Sequence, residues 1–249
     1  MLAQHMFGPE RHRRLAELLD IQPESRVVDL GCGPGHTLVE IALRLGAAGS
    51  LVGVDTNIQK AETEMGNDPR IALIVADLCE PLPFADESFD RVLCHNVLEL
   101  LPDPDAFLVE VARILCGGGR FVLGHSDFDT IVFNSDNLEF TRQLVHLFCD
   151  TTQAWMKRSD GTMGRKLSGV VGRSPLKIEQ VAGWVGIHTS FDPRSPGRYA
   201  AEEIARVARR YGGISCARVD RWLAGLERLA KRGEFFYSLN DYAVVASKR

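Results

Sequence analysis

A glycine cluster flanked by carboxylates is the first place in this sequence where residue types and spacing can do chemistry. Gly31-Cys32-Gly33-Pro34-Gly35 follows the apolar run Arg26-Val27-Val28-Asp29-Leu30 and precedes the helical pattern Leu38, Ile41, Ala42, Leu45. Glycines between a strand and a helix let the backbone turn tightly and approach a ligand closely. Asp29 stands two positions before the first glycine, Asp55 closes the second apolar run and Asp77 closes the third. A carboxylate at the position of Asp55 can accept both hydroxyls of a ribose. The Gly-x-Gly-x-Gly spacing differs from the Gly-x-Gly-x-x-Gly of dinucleotide folds, which argues against nicotinamide chemistry. Cys32 reads as a small packing residue of the loop, not a nucleophile.

A second set follows the fifth apolar run: His125-Ser126-Asp127-Phe128-Asp129-Thr130. In a doubly wound sheet this is the carboxyl-end edge, the side on which ligands bind. His125 can take a proton from an oxygen or nitrogen, and Asp127 and Asp129 can orient it or hold a cationic substrate. The two acids also suit turns and caps. Trp155 is a candidate wall of an apolar pocket, while most other late aromatics read as core. The six cysteines show no metal-ligand or redox spacing. No metal is therefore expected, and a reducing cytoplasm is the simpler setting.

The elements that must position these residues alternate. Short apolar runs at Leu51 to Asp55, Ile71 to Asp77, Phe89 to Cys94 and Arg120 to His125 are separated by helical patterns, the sign of a parallel sheet. Asp103 caps a predicted helix with Pro104 in its first turn, and Gly117-Gly118-Gly119 ends it. Beyond Phe128, Asp136 and Glu139 have capping-box spacing ahead of the stripe Leu138, Thr141, Val145, Phe148. Helices are predicted over 198–211 and 217–231, and a last strand over 242–247. The cluster Arg11-His12-Arg13-Arg14 reads as the exposed side of a first helix. A net charge of −4 gives no reason to expect nucleic acid or an anionic membrane. No stretch is long and apolar enough to span a bilayer.

The pattern continues through Ala76-Asp77-Leu78 and Pro81-Leu82-Pro83-Phe84-Ala85-Asp86-Glu87-Ser88-Phe89-Asp90. With these residues the chain resembles the class I S-adenosylmethionine-dependent methyltransferases, especially their UbiE-like branch, over residues 20–128. The resemblance implies S-adenosylmethionine as cofactor, bound by a set that includes Asp29. Gly31, Cys32, Gly33 and Gly35 would surround its methionine part and ribose. Asp55 would bind the ribose with Thr56 beside the adenine. Asp77 would hold the adenine amino group, Leu78 would lie along the ring, and His95 and Asn96 would line the methionine moiety. One departure is Lys60, where the family often has Met; its aliphatic stem can still cover a ring. A run like His125 to Thr130 followed by Trp155-Met156 and Gly164-Arg165-Lys166-Leu167 is similar to elements of some small-molecule methyltransferases.

The expected fold is therefore α/β: a Rossmann-like, doubly wound, mostly parallel seven-stranded sheet with helical insertions in its second half. One domain is expected over 1–249, with a cofactor core at 20–128, a substrate lid and helical insertions at 129–233, and a final strand at 234–249. The expected activity is methyl transfer to O, N or C of a small-molecule metabolite in secondary metabolism. His125 and Asp127 would be catalytic, and Asp129 and Trp155 would meet the acceptor. Residues 130–170 are expected to cover that acceptor, while the later helical pair packs on the sheet or on a neighbour in a homo-oligomer. The rival readings are a quinone-pathway C-methyltransferase, a non-catalytic cofactor-binding regulator and a nicotinamide-dependent oxidoreductase.

Overall fold

The computed structural model describes residues 10–248. In chain order the elements are α1 (Glu10–Leu18), β1 (Arg26–Leu30), α2 (His36–Ala42), β2 (Ser50–Asp55), α3 (Gln59–Met65), β3 (Ile71–Val75) and β4 (Phe89–His95). A short 3-10 turn at Leu98–Leu100 leads into α4 (Pro104–Ile114), β5 (Leu115–Phe133), α5 (Leu138–Asp150) and α6 (Met163–Gly172). The chain continues through β6 (Leu176–His188), α7 (Pro196–Tyr211), α8 (Cys216–Lys231) and β7 (Tyr237–Lys248). The seven strands form one sheet in the order β3-β2-β1-β4-β5-β7-β6. The pairs β1–β2, β1–β4, β2–β3 and β4–β5 are parallel. This is the expected doubly wound plan, with β1 at the switch point where the order reverses.

Two compact units share the chain. The larger comprises 10–125, 165–182 and 242–248; the smaller comprises 126–164 and 183–241. In the larger unit the central strand β1 is buried from Val27 through Leu30, as a strand covered on both faces must be. α4 starts where the sequence says it should: the Asp103 side chain accepts from Ala106 N at 2.9 Å, and Pro104 occupies the first turn. Its buried face is Phe107, Leu108, Val111, Ala112 and Ile114.

The smaller unit has its own core. Phe128, Ile131 and Phe133 of β5 and Tyr237 and Leu239 of β7 pack with residues of α5, α7 and α8. Trp222 of α8 stands edge-on to Phe133 at 5.8 Å and donates from Nε1 to Thr141 Oγ1 at 3.0 Å. Both helical segments beyond β5 thus bury their apolar faces in the same core.

Five local expectations are corrected. β5 runs 19 residues to Phe133, so His125 to Thr130 lie within the strand and not beyond its end. Gly117, Gly118 and Gly119 belong to that strand, because α4 has already ended at Ile114. Asn137, not Asp136, caps α5 by accepting from Phe140 N at 3.0 Å, and Leu138 is exposed instead of joining the buried stripe. β6 is a strand the sequence reading did not name, although Val181 to Ile187 is an apolar run; its side chains are mostly exposed, Val181, Val185 and Ile187 among them. Arg11 is not on an exposed face; it is 4% exposed, with Leu15, Ala16 and Leu19 on the same buried side.

Candidate cofactor site

The glycine loop is held in place by β2. Gly31 N and Cys32 N donate to Val54 O at 2.8 and 3.0 Å, and Gly35 N returns to Cys32 O at 3.0 Å. Gly31, Gly33 and Gly35 take φ of 84°, 54° and 90°, the left-handed region that side chains resist. At Gly31 the demand is doubled, since a Cβ would stand 2.2 Å from Val97 Cγ2. Asp55 ties the second strand to this loop: its Oδ2 accepts from Gly33 N at 2.9 Å. Its Oδ1 accepts from Asn57 N at 3.1 Å and from Thr56 Oγ1 at 3.4 Å. A carboxylate offers about four lone-pair positions, so Asp55 can brace the loop and still accept from a ligand.

The other carboxylates differ in setting. Asp77, exposed beyond β3, turns its Oδ1 to Cys79 N at 2.9 Å, and Leu78 beside it is buried. Asp29 is buried under the loop. Burial, followed by the charge of Asp55, pushes its carboxyl up to about 7. Burial also raises the thiol of Cys32, with Asp29 and Asp55 adding to it, which keeps that residue an unreactive packing group. Asn96 has a positive φ of 53° and donates its N–H to Gly124 O at 3.1 Å, just past β4.

Three histidines of the larger unit lie close to one another. His12 Nδ1 lies 2.8 Å from Thr37 Oγ1, joining α1 to the first turn of α2. The His12 ring lies 5.5 Å from that of His36 and 6.2 Å from that of His95. Burial, then Arg11 and His36, depress the His12 pKa to about 3. Burial and the neighbouring Arg11, His12 and His125 hold His95 well below the ordinary imidazole range. His125 is fully buried. Sequence reasoning missed Arg11 and His12, although the helical spacing of Leu15, Ala16 and Leu19 could have placed them on the inward face.

The remaining site expectations fall in the smaller unit. Asp127 is fully buried, and a Cβ at Gly164 would stand 2.9 Å from its own Cβ. Next to it in sequence, Ser126 Oγ donates to Asp241 Oδ1 at 2.6 Å, both groups buried. Asp129 lies 3.6 Å from His146 Nε2. Trp155 is 61% exposed and donates from Nε1 to Gln153 Oε1 at 3.2 Å. Buried Gln153 also accepts from Arg206 of α7, which pairs with buried Glu203. Tyr211 OH accepts from Ala154 N at 3.1 Å. The loop carrying Trp155 is thus fastened to α7, a link no local pattern shows.

Strand order, glycine loop and strand-end acids together define the class I S-adenosylmethionine-dependent methyltransferase architecture, whose cofactor is S-adenosylmethionine. Residues 28–123 match the family described as "Methyltransferase domain". A 37.1 kDa protein of transposon TN4556 from Streptomyces fradiae is 28% identical over 241 residues, 93% of this chain and 65% of that protein. A ubiquinone/menaquinone biosynthesis C-methyltransferase, UbiE, of Geotalea daltonii is 30% identical over 152 residues, 57% of this chain and 60% of the relative. The chain thus spans less than two thirds of the length of either relative. Among solved structures, geranyl diphosphate C-methyltransferase from Streptomyces coelicolor A3(2), with S-adenosyl-L-homocysteine, shares the fold at a TM-score of 0.56 and 15% identity. That match covers 96% of this chain and 78% of the other.

The residues present fit that cofactor. The loop closes without side chains at its three left-handed positions, and acids stand at the ends of β2 and β3. The Nε2 of His95 is closed off from solvent beside the loop, with no hydrogen-bond partner among the described residues. Among the described residues no His, Cys, Asp or Glu group could hold a metal ion, and no helix is long and apolar enough to cross a membrane.

Proposed function

We propose that this chain transfers a methyl group from S-adenosylmethionine to an oxygen, nitrogen or carbon atom of a small-molecule metabolite. The proposal includes the whole chain acting as one methyltransferase domain, in the cytoplasm, within secondary metabolism. The bond from Gly33 N to Asp55 Oδ2 carries the reading, because it makes the glycine loop and the ribose-type acid one preformed receptor.

S-adenosylmethionine supplies a methyl group already activated on a sulfonium. The protein's own work is then to align donor and acceptor and to exclude water. Asp55 and Thr56 are assigned to the ribose side, Asp77 and Leu78 to the adenine, and Asp29, Gly31, Cys32, Gly33, Gly35, His95 and Asn96 to the methionine end. His125 is assigned the proton that an O–H or N–H acceptor must lose, and Asp127 a supporting part in that step. Asp129 and Trp155 are assigned to the acceptor. The UbiE relative from Geotalea daltonii supports a second reading, C-methylation of a quinone precursor, in which no early proton transfer is needed.

The test is transfer of labelled methyl from S-adenosylmethionine into a metabolite extract, with protein and nucleic acid counted separately. Label in the small-molecule fraction is the expected result. Label confined to protein or nucleic acid would overturn the acceptor class. Tight cofactor binding with no transfer to any fraction would instead favour a regulator. Hydrogen exchange with the labelled product tests the lid: protection is expected over 130–170 and not confined to 198–231.

A further inference from the structure

Trp155 is the one Phe, Tyr or Trp side chain that stands exposed among the described residues, at 61%. An exposed indole on a loop is ordinarily free to turn, yet this one is held. Its Nε1 donates to Gln153 Oε1 at 3.2 Å, and Gln153 itself is buried. The same oxygen accepts from Arg206 Nη2, which also donates to Glu203 Oε1, while Arg206 Nε donates to Glu203 Oε2 at 2.9 Å. The backbone on either side of the ring is tied as well. Ala154 N donates to Tyr211 OH at 3.1 Å, and Met156 N donates to Gln153 O at 2.9 Å. All of these residues belong to the smaller unit.

Each part of this chain of bonds supports the next. Glu203 lies buried on α7, and a carboxylate there is costly unless it is paired. Arg206, about one helical turn on, pairs with it through two N–H groups and still has a donor for Gln153. The guanidinium fork thus reaches Gln153 from a fixed base, and Gln153 passes that position on to the indole. Tryptophan has a single donor, Nε1–H, and here it is committed. A ligand that meets Trp155 is therefore offered an apolar ring and no hydrogen bond. A ring fixed before the ligand arrives need not be ordered on binding, which removes that entropic cost.

We propose that Glu203, Arg206 and Gln153 are positioning residues that hold Trp155 as a preformed stacking platform for a methyl acceptor with a flat, apolar face. The inference rests on the assignment of Trp155 to the acceptor. It brings α7 into acceptor choice: a change at Arg206 alters acceptor binding by releasing Trp155.

Fluorine NMR of the full chain carrying fluorotryptophan tests this, with one resonance each for Trp155, Trp184 and Trp222 and Trp155→Phe to assign the first. The Trp155 resonance is expected away from that of the free amino acid. Gln153→Met, which keeps the volume but loses the acceptor oxygen, should move it to the free position. Arg206→Lys, which keeps the charge but loses the fork, should do the same. Gln153→Glu, which keeps an acceptor oxygen, should restore it. Unmoved Trp184 and Trp222 resonances show that the variants are folded. A Trp155 resonance that Gln153→Met and Arg206→Lys both leave in place would overturn the relay. Added naphthol, a neutral planar probe, should shift the Trp155 resonance of the wild type, and Gln153→Met should need about tenfold more of it. Cyclohexanol, which has no flat face, should leave the resonance in place at the same concentration. No shift with naphthol, or an equal shift with cyclohexanol, would overturn the platform. Naphthol should also inhibit transfer of labelled methyl into the metabolite fraction. Stacking without inhibition would overturn the acceptor assignment of Trp155, separately from the relay.

Discussion

The two units differ in the neighbours set around some of their buried polar groups. In the smaller unit they answer one another: Ser126 with Asp241, Thr141 with Trp222, Gln153 and Glu203 with Arg206. In the larger unit buried Thr37 also has a partner in His12, but two places bring ionisable groups of one kind together. Asp29 sits under the charge of Asp55, and Arg11 crowds the histidines His12 and His95. A satisfied network rigidifies a core, whereas ionisable groups crowded together in a buried setting have their charged forms disfavoured, a mark of candidate ligand sites. The contrast separates a region built to hold its shape from a region built to be completed.

The strongest way to break this contrast lies at His125, the fully buried histidine of the larger unit. If it takes the acceptor's proton, His125→Ala should lower turnover by about 10²–10⁴-fold at unchanged cofactor affinity. The methyl-transfer assay on the accepting fraction checks it, and a wild-type rate would return His125 to a packing role.

Asp29 gives the next effect, on stability. Its carboxyl titrates near 7 when folded against the ordinary 3.8, because burial and then Asp55 raise it. The folded protein therefore keeps a proton that the unfolded chain has already released. Stability attributable to this group is present below pH 4 and is lost progressively as pH rises through 7. Asp29→Asn should stabilise the cofactor-free protein at pH 8 by on the order of 2–4 kcal/mol and flatten its pH profile between 5 and 8. Thermal denaturation across that range measures it; a profile parallel to wild type would remove the strain from the argument.

Asp55→Ala should weaken S-adenosylmethionine by about 1.5–3 kcal/mol in calorimetry without unfolding the protein. The counterpart in the smaller unit is Ser126→Ala. It removes the donor from buried Asp241 and should cost about 1–3 kcal/mol of stability by urea titration, the reverse sign of Asp29→Asn. Should both substitutions destabilise, the opposition between the units would fail.

What could be read in advance follows from how local the signals are. The glycine loop, Asp55 at the end of β2 and the Asp103 cap are written in windows of a few residues, and the structure places them there, with Asp77 two residues beyond β3. β6 was missed although Val181-Ala182-Gly183-Trp184-Val185-Gly186-Ile187 is an apolar run, because two glycines interrupt it and its large side chains lie exposed at the sheet edge and not in a core. The length of β5 was misjudged because glycine, histidine and aspartate interrupt a segment that tertiary pairing keeps extended. The pairs His12–Thr37 and Ser126–Asp241 join residues 25 and 115 positions apart, beyond any local pattern. Arg11 was legible but misread: charge argued for solvent where helical spacing argued for burial.

The interleaving of the two units has a consequence for modularity. The larger is assembled from three stretches of chain and the smaller from two, and β5, β6 and β7 each give residues to both. Neither unit corresponds to a contiguous reading frame. A gene fragment ending at His125 would carry the glycine loop and all of its acids, yet it would lack α6, both later strands and the far end of β5. Such a piece would present a sheet edge that the intact order covers with β7, an invitation to pair with other chains. The smaller unit is thus not a cassette that recombination could exchange at a single junction.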